Sequence, residues 1–132
     1  MNIKSDLATV NVSSEEVFNF LNDYNNYEKL MPEQVIKWTS DEKAGRFTIK
    51  DLTELGLRIE DTKPGDYVLL HSDGKVPFDF TLKFNLREIE ASRTEVFCEF
   101  DGKVSSMIAM MAKRPLTNLV NHMVGRIKEI YC

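Results

Sequence analysis

Cysteine and histidine are scarce in this chain, two of each among 132 residues, and that scarcity excludes whole classes of chemistry. Cys98 and Cys132 lie far apart, the second at the last position, which makes a poor disulfide framework. A reduced, cytoplasmic setting is the expectation. His71 and His122 stand alone, with no HxxxH, HxH or clustered Cys/His pattern, so neither zinc nor any other cofactor is expected. Long apolar runs are missing too. No stretch approaches the ~20 apolar residues of a membrane-spanning helix, so no integral membrane association is expected. Met1 to Val12 places Lys4 and Asp6 among its apolar residues and lacks the continuous apolar stretch of a signal peptide. Positive charge is short: 17 Lys and Arg face 21 Asp and Glu, for a net charge of −4, and the basic residues do not cluster. A nucleic-acid partner, which needs a basic footprint, is not expected. No GxSxG, P-loop, dinucleotide glycine pattern or nucleophile with a matching base occurs.

What the chain does have is enough apolar sequence, 42%, to bury one core at a one-domain length. Residues 3–12 read as a first strand with imperfect alternation, as a bulge would give. Ser13 and Glu16 have capping-box spacing. Val17, Phe18 and Leu21 then supply a helical apolar stripe, and a second short helix over about 26–30 stops before Pro32. Strands follow over 34–40, with Ile36 and Trp38 on one face, and over 45–52, with Phe47 and Ile49 inward. A strand over 56–62 sets Leu57 and Ile59 opposite Arg58 and Glu60. Lys63-Pro64-Gly65-Asp66 is a turn with proline and glycine in their favoured roles. Residues 67–72 form a strand without clear alternation. Residues 78–88 alternate most regularly, Phe78, Phe80, Leu82, Phe84 and Leu86 against Asp79, Thr81, Lys83, Asn85 and Arg87. Val96, Cys98 and Phe100 face inward on the last strand. Residues 105–130 have helical period, interrupted by Pro115.

This is an α+β chain: about seven strands in the order β-α-α-β6-α, with consecutive strands joined by short turns into an antiparallel meander. The sheet has one apolar face, and the C-terminal helix is the element long enough to cover it. The stretch Val12-Ser13-Ser14-Glu15-Glu16-Val17-Phe18-Asn19-Phe20-Leu21-Asn22-Asp23 resembles the opening strand-to-helix junction of the START-like (SRPBCC) helix-grip superfamily. So do Tyr27, Leu30, Met31 and Pro32 as its short second helix, Pro77-Phe78-Asp79-Phe80 leading into a long strand, and Met110-Met111-Ala112-Lys113-Arg114-Pro115-Leu116 opening an apolar-striped helix. The resemblance, which extends to polyketide cyclase/dehydrase-type proteins, spans residues 1–132. It implies a single ligand-binding domain with a curved sheet wrapped around the helix and a cavity between them. It does not imply one function.

On that frame, Trp38, Phe47, Ile49, Leu57, Phe78, Phe80, Leu82, Phe84, Cys98 and Phe100 are the candidate ligand-lining residues of the sheet. Met107, Met110, Met111, Leu119 and Met123 are those of the helix, where unbranched methionine suits an adaptable wall. The same residues equally well describe a filled core. His71, Glu88 and Asp51 are the candidate catalytic groups, Glu88 and Asp51 because they continue apolar strand faces, where a carboxyl can have a raised pKa. Three functions stay open: binding or transport of a small hydrophobic molecule (a lipid, isoprenoid or polyketide-like compound), a small cyclase/dehydrase-type enzyme, and a protein-interaction module.

Overall fold

A computed structural model describes residues 1–132. Eight antiparallel strands form one open sheet: β1 (Asn2–Lys4), β2 (Ala8–Val10), β3 (Val35–Ser40), β4 (Ala44–Ile49), β5 (Thr53–Lys63), β6 (Tyr67–Ser72), β7 (Phe80–Glu90) and β8 (Arg93–Gly102). Their order is β1-β8-β7-β6-β5-β4-β3, with β2 also paired to β8. Helix α1 (Ser14–Leu21) and a 3-10 helix (Tyr24–Leu30) link β2 to β3, and α2 (Ser106–Ile130) closes the chain. No helix is long and apolar enough to cross a membrane.

The expected first strand is two short ones. Both pair with β8, and the chain jogs between them at Ser5, whose Oγ accepts from the Cys98 N–H at 2.8 Å. The jog accounts for the imperfect alternation. Helix α1 starts as its sequence predicts, with Ser13 Oγ accepting from the Glu16 N–H at 3.2 Å. The orphan N–H of Ser14 is met from another element, by the Glu88 carboxylate at 3.0 Å.

Ile36 and Trp38 do not share a face. The register of β3 against β4 shifts by one residue between Ile36 and Thr39, and Lys37 takes the left-handed φ of 55° at the bulge. An inserted residue reverses the side-chain alternation beyond it. Ile36 therefore points to solvent, while Trp38 turns inward and stacks on Phe47 and Tyr24. In β6 the alternation is present after all: Val68, Leu70 and Ser72 are buried and His71 lies on the other face.

The sheet's concave face and α2 share one core. Phe47, Leu57, Leu70, Phe80, Leu82, Phe84, Cys98 and Phe100 enter it from strands, and Leu116, Val120, Met123 and Ile127 from the helix. Tyr24 and Tyr27 fill the space under the 3-10 helix. Their rings eclipse at i and i+3, as three residues per turn require, with centroids 5.0 Å apart. Tyr27 meets Phe84 edge-on at 5.6 Å. The middle of the grip is thus packed with side chains. Helix α2 lies over β8, β2, β1 and the 3-10 helix, so open space remains where it leaves the opposite arm of the curved sheet. It runs through Pro115 without a break, although proline withdraws the N–H that the Met111 carbonyl would accept.

Candidate functional site

The principal cleft lies between the middle of α2 and the β3–β4 arm, with a volume of about 360 Å³. That is the low end for a small-molecule site, room for roughly a dozen waters at ~30 Å³ each. Pro32, Val35, Ile49, Pro115 and Leu119 give it apolar walls, and Gln34, Lys50, Arg114, Asn118 and His122 surround these with polar groups. Arg114, Asn118 and His122 recur at four-residue spacing, so they rise in one row along α2. Pro115 and Leu119 form the row beside it. Across the gap, the Lys50 N–H donates to the Gln34 carbonyl at 2.7 Å, tying the end of β4 to the segment before β3. Asp51 follows in the left-handed conformation, φ 65°, and turns the chain back into β5.

A second, smaller cleft of about 220 Å³ lies past that turn, between Leu52, Thr53, Pro77, Phe78, Ile108, Met111 and Ala112. The tip of the β4–β5 hairpin separates the two.

The sequence-predicted lining residues divide by depth. Ile49 and Leu119 border the main cleft, and Phe78 and Met111 the second. Phe47, Leu57, Phe80, Leu82, Phe84, Cys98, Phe100 and Met123 are buried in the packed core, and Trp38 is half-buried in the aromatic stack. Met107 and Met110 stand in solvent, 73% and 82% exposed. The burial that packs Cys98 also pushes its thiol pKa well up, assisted by the neighbouring Glu99 charge.

The catalytic candidates do not come together. His71 is on the convex face of β6, its Nδ1 2.8 Å from the Ser72 carbonyl oxygen. Glu88 is exposed and caps α1. Asp51 is exposed in the hairpin turn. None of the three lines the main cleft, and no three His, Cys, Asp or Glu side chains are grouped as a metal ion would need. What sequence reasoning missed is the polar row Arg114, Asn118 and His122. Its period was legible, but nothing in the helix pattern says which flank faces the far arm of the sheet.

This architecture is that of the START-like, SRPBCC-type helix-grip fold, and solved structures bear it out. A norcoclaurine synthase point mutant from Thalictrum flavum, in complex with a transition-state analogue, superposes with a TM-score of 0.76 at 9% identity, over 98% of this chain and 92% of its own. The di-domain ARO/CYC BexL gives 0.72 at 11% identity over 98% of this chain, which spans 45% of that protein. A START superfamily protein from Mycobacterium smegmatis gives 0.69 at 12% identity, covering 98% of both chains. No protein-family model and no curated protein sequence matches the chain. At such identities the likeness defines the fold, and function must come from the site.

Proposed function

We propose that the chain is a single ligand-binding domain that holds a small hydrophobic molecule in the cleft between α2 and the β3–β4 arm. The carrying observation is the cleft itself: concave, walled by Val35, Ile49, Pro115 and Leu119, and bordered by polar side chains that make no hydrogen bond within the protein. Pockets of this make-up, apolar with a few convergent polar groups, are the usual form of small-molecule sites. Two of the similar structures have small-molecule chemistry in their names, the synthase and the ARO/CYC protein, which agrees with this reading. Binding is favoured over cyclase/dehydrase catalysis because His71, Glu88 and Asp51 occupy three separate places, none of them in the cleft.

The test is titration of a fluorescent fatty acid, together with native mass spectrometry of the purified chain. Saturable one-to-one binding is expected. Val35→Trp, which puts an indole into the cleft from a partly exposed strand position, should abolish it while leaving circular dichroism unchanged. Absence of saturable binding, or undiminished binding by the tryptophan variant, defeats the proposal.

One observation favours a second reading, protein interaction. Met107, Ile108, Met110 and Met111 are all exposed on the first turns of α2, a contiguous apolar patch of the kind that marks contact surfaces. Self-association or partner capture lost in a Met107→Ser/Met110→Ser variant, with fatty-acid titration unaltered, would separate the two.

A further inference from the structure

Five of the six arginines are committed to carboxylates: Arg46 to Glu54, Arg58 to Glu60 and Asp73, Arg87 to Glu95, Arg93 to Glu90, and Arg126 to Glu129. The sixth is Arg114, and it lines the principal cleft. Lys50 faces it from the end of β4 and is likewise in no ion pair, and His122 stands two turns further along α2. The lining includes no aspartate or glutamate. Glu33 and Asp51 are the acidic neighbours in sequence, and neither reaches the cleft. In a protein of net charge −4 the general field repels anions, so a cleft whose charged side chains are Arg114 and Lys50 is a local departure from the rest of the surface.

From this we infer that the cleft's ligand is an amphiphile with an anionic end, an apolar carboxylic acid, its carboxylate held between Arg114 and Lys50 and its hydrocarbon body on Val35, Ile49, Pro115 and Leu119. The inference rests on the binding role proposed above and specifies its ligand class. A planar guanidinium matches a carboxylate in two parallel hydrogen bonds, and the lysine ammonium adds a point charge. Asn118 and Gln34, also in the lining, offer amide N–H donors to the remaining lone pairs. The cleft's volume suits an acid of about ten to twelve non-hydrogen atoms, at the scale of one water's space for each.

The test compares three probes of one chain length, decanoate, decanol and decyltrimethylammonium, by displacement of the fluorescent fatty acid from the full chain and from an Arg114→Gln/Lys50→Gln variant. Both substitutions are at exposed positions outside the core, so the fold should persist, and circular dichroism checks that. Decanoate is expected to bind about tenfold more tightly than decanol, the range for a charge-assisted pair at a partly exposed site. That advantage should vanish in the double variant, and the cationic probe should bind most weakly to the wild type. Equal affinities for acid and alcohol overturn the anion assignment and leave the binding role standing. An acid preference that survives the double variant also overturns it. If none of the probes displaces the fatty acid and Val35→Trp has no effect, the cleft reading itself has failed.

Discussion

Tyr24 and Tyr27 offer a sharp test of the packing, because the same substitution three residues apart should have opposite effects. Both rings are fully buried. The Tyr27 hydroxyl donates to the Leu21 carbonyl at 2.9 Å, whereas the Tyr24 hydroxyl is buried without any partner. An unsatisfied buried polar group costs about 1–3 kcal/mol, and a satisfied one contributes about 1 kcal/mol net. Tyr24→Phe keeps the ring stacked between Tyr27 and Trp38, at 5.0 and 5.3 Å, and removes the orphan. It should stabilise the fold by about 1–2 kcal/mol. Tyr27→Phe deletes a bond and strands a carbonyl, and should destabilise by about 1–2 kcal/mol. With a urea dependence of about 2 kcal/mol per molar, the two midpoints should lie about 1–2 M apart on either side of the wild type. If Tyr24→Phe loses as much stability as Tyr27→Phe, its hydroxyl has a partner in solution and the reasoning is refuted.

Alkaline pH should weaken the fold from a predictable point. Burial raises the native pKa of Cys98 above its ordinary 9.0 and those of Tyr24 and Tyr27 above 10.0. The unfolded chain therefore loses these protons first. Stability is intact below pH 9 and falls as pH climbs through 9 to 10 and beyond, by about 1.4 kcal/mol per pH unit for each group ionised only when unfolded; urea midpoints that stay flat from pH 8 to 10.5 contradict this. Glu88→Gln should cost about 0.5–1 kcal/mol by weakening the α1 cap and leave fatty-acid titration unchanged, whereas a loss of binding would return Glu88 to the functional residues. Gly125→Ala places a Cβ in open space on α2 and should raise the urea midpoint, by about 0.5–1 kcal/mol in stability; a drop in midpoint would show that the helix flank is not free there.

The sheet and long helix were legible because their apolar periods are long. Phe80, Leu82, Phe84 and Leu86 alternate without a fault, and Leu116, Val120, Met123 and Ile127 hold helical spacing over three turns. What failed was local. Trp38 reads as a partner of Ile36 until one inserted residue at Lys37 reverses it, and no residue type announced that insertion. Glu88 continues an inward face on paper, yet by that point β7 has left the core and its side chain finds the end of α1. The candidate site was the least legible. Lining residues were drawn from the most apolar positions, and those are the positions that the core itself fills. A cleft at the margin is made where a helix and a sheet diverge, which depends on how far the sheet curls, and Lys50 and Arg114 are brought together only by that curl.

The one-residue insertion in β3 has a consequence for how the molecule behaves among its own copies. A sheet that does not close on itself leaves two borders of unpaired amides, the usual seeds of strand-by-strand accretion. At one border lie only three-residue strands, Asn2–Lys4 and Ala8–Val10. At the other, the irregular stretch around Lys37 breaks a six-residue strand in the middle. Neither border is a straight template, so the sheet can expose both to water at high concentration without recruiting a ninth strand.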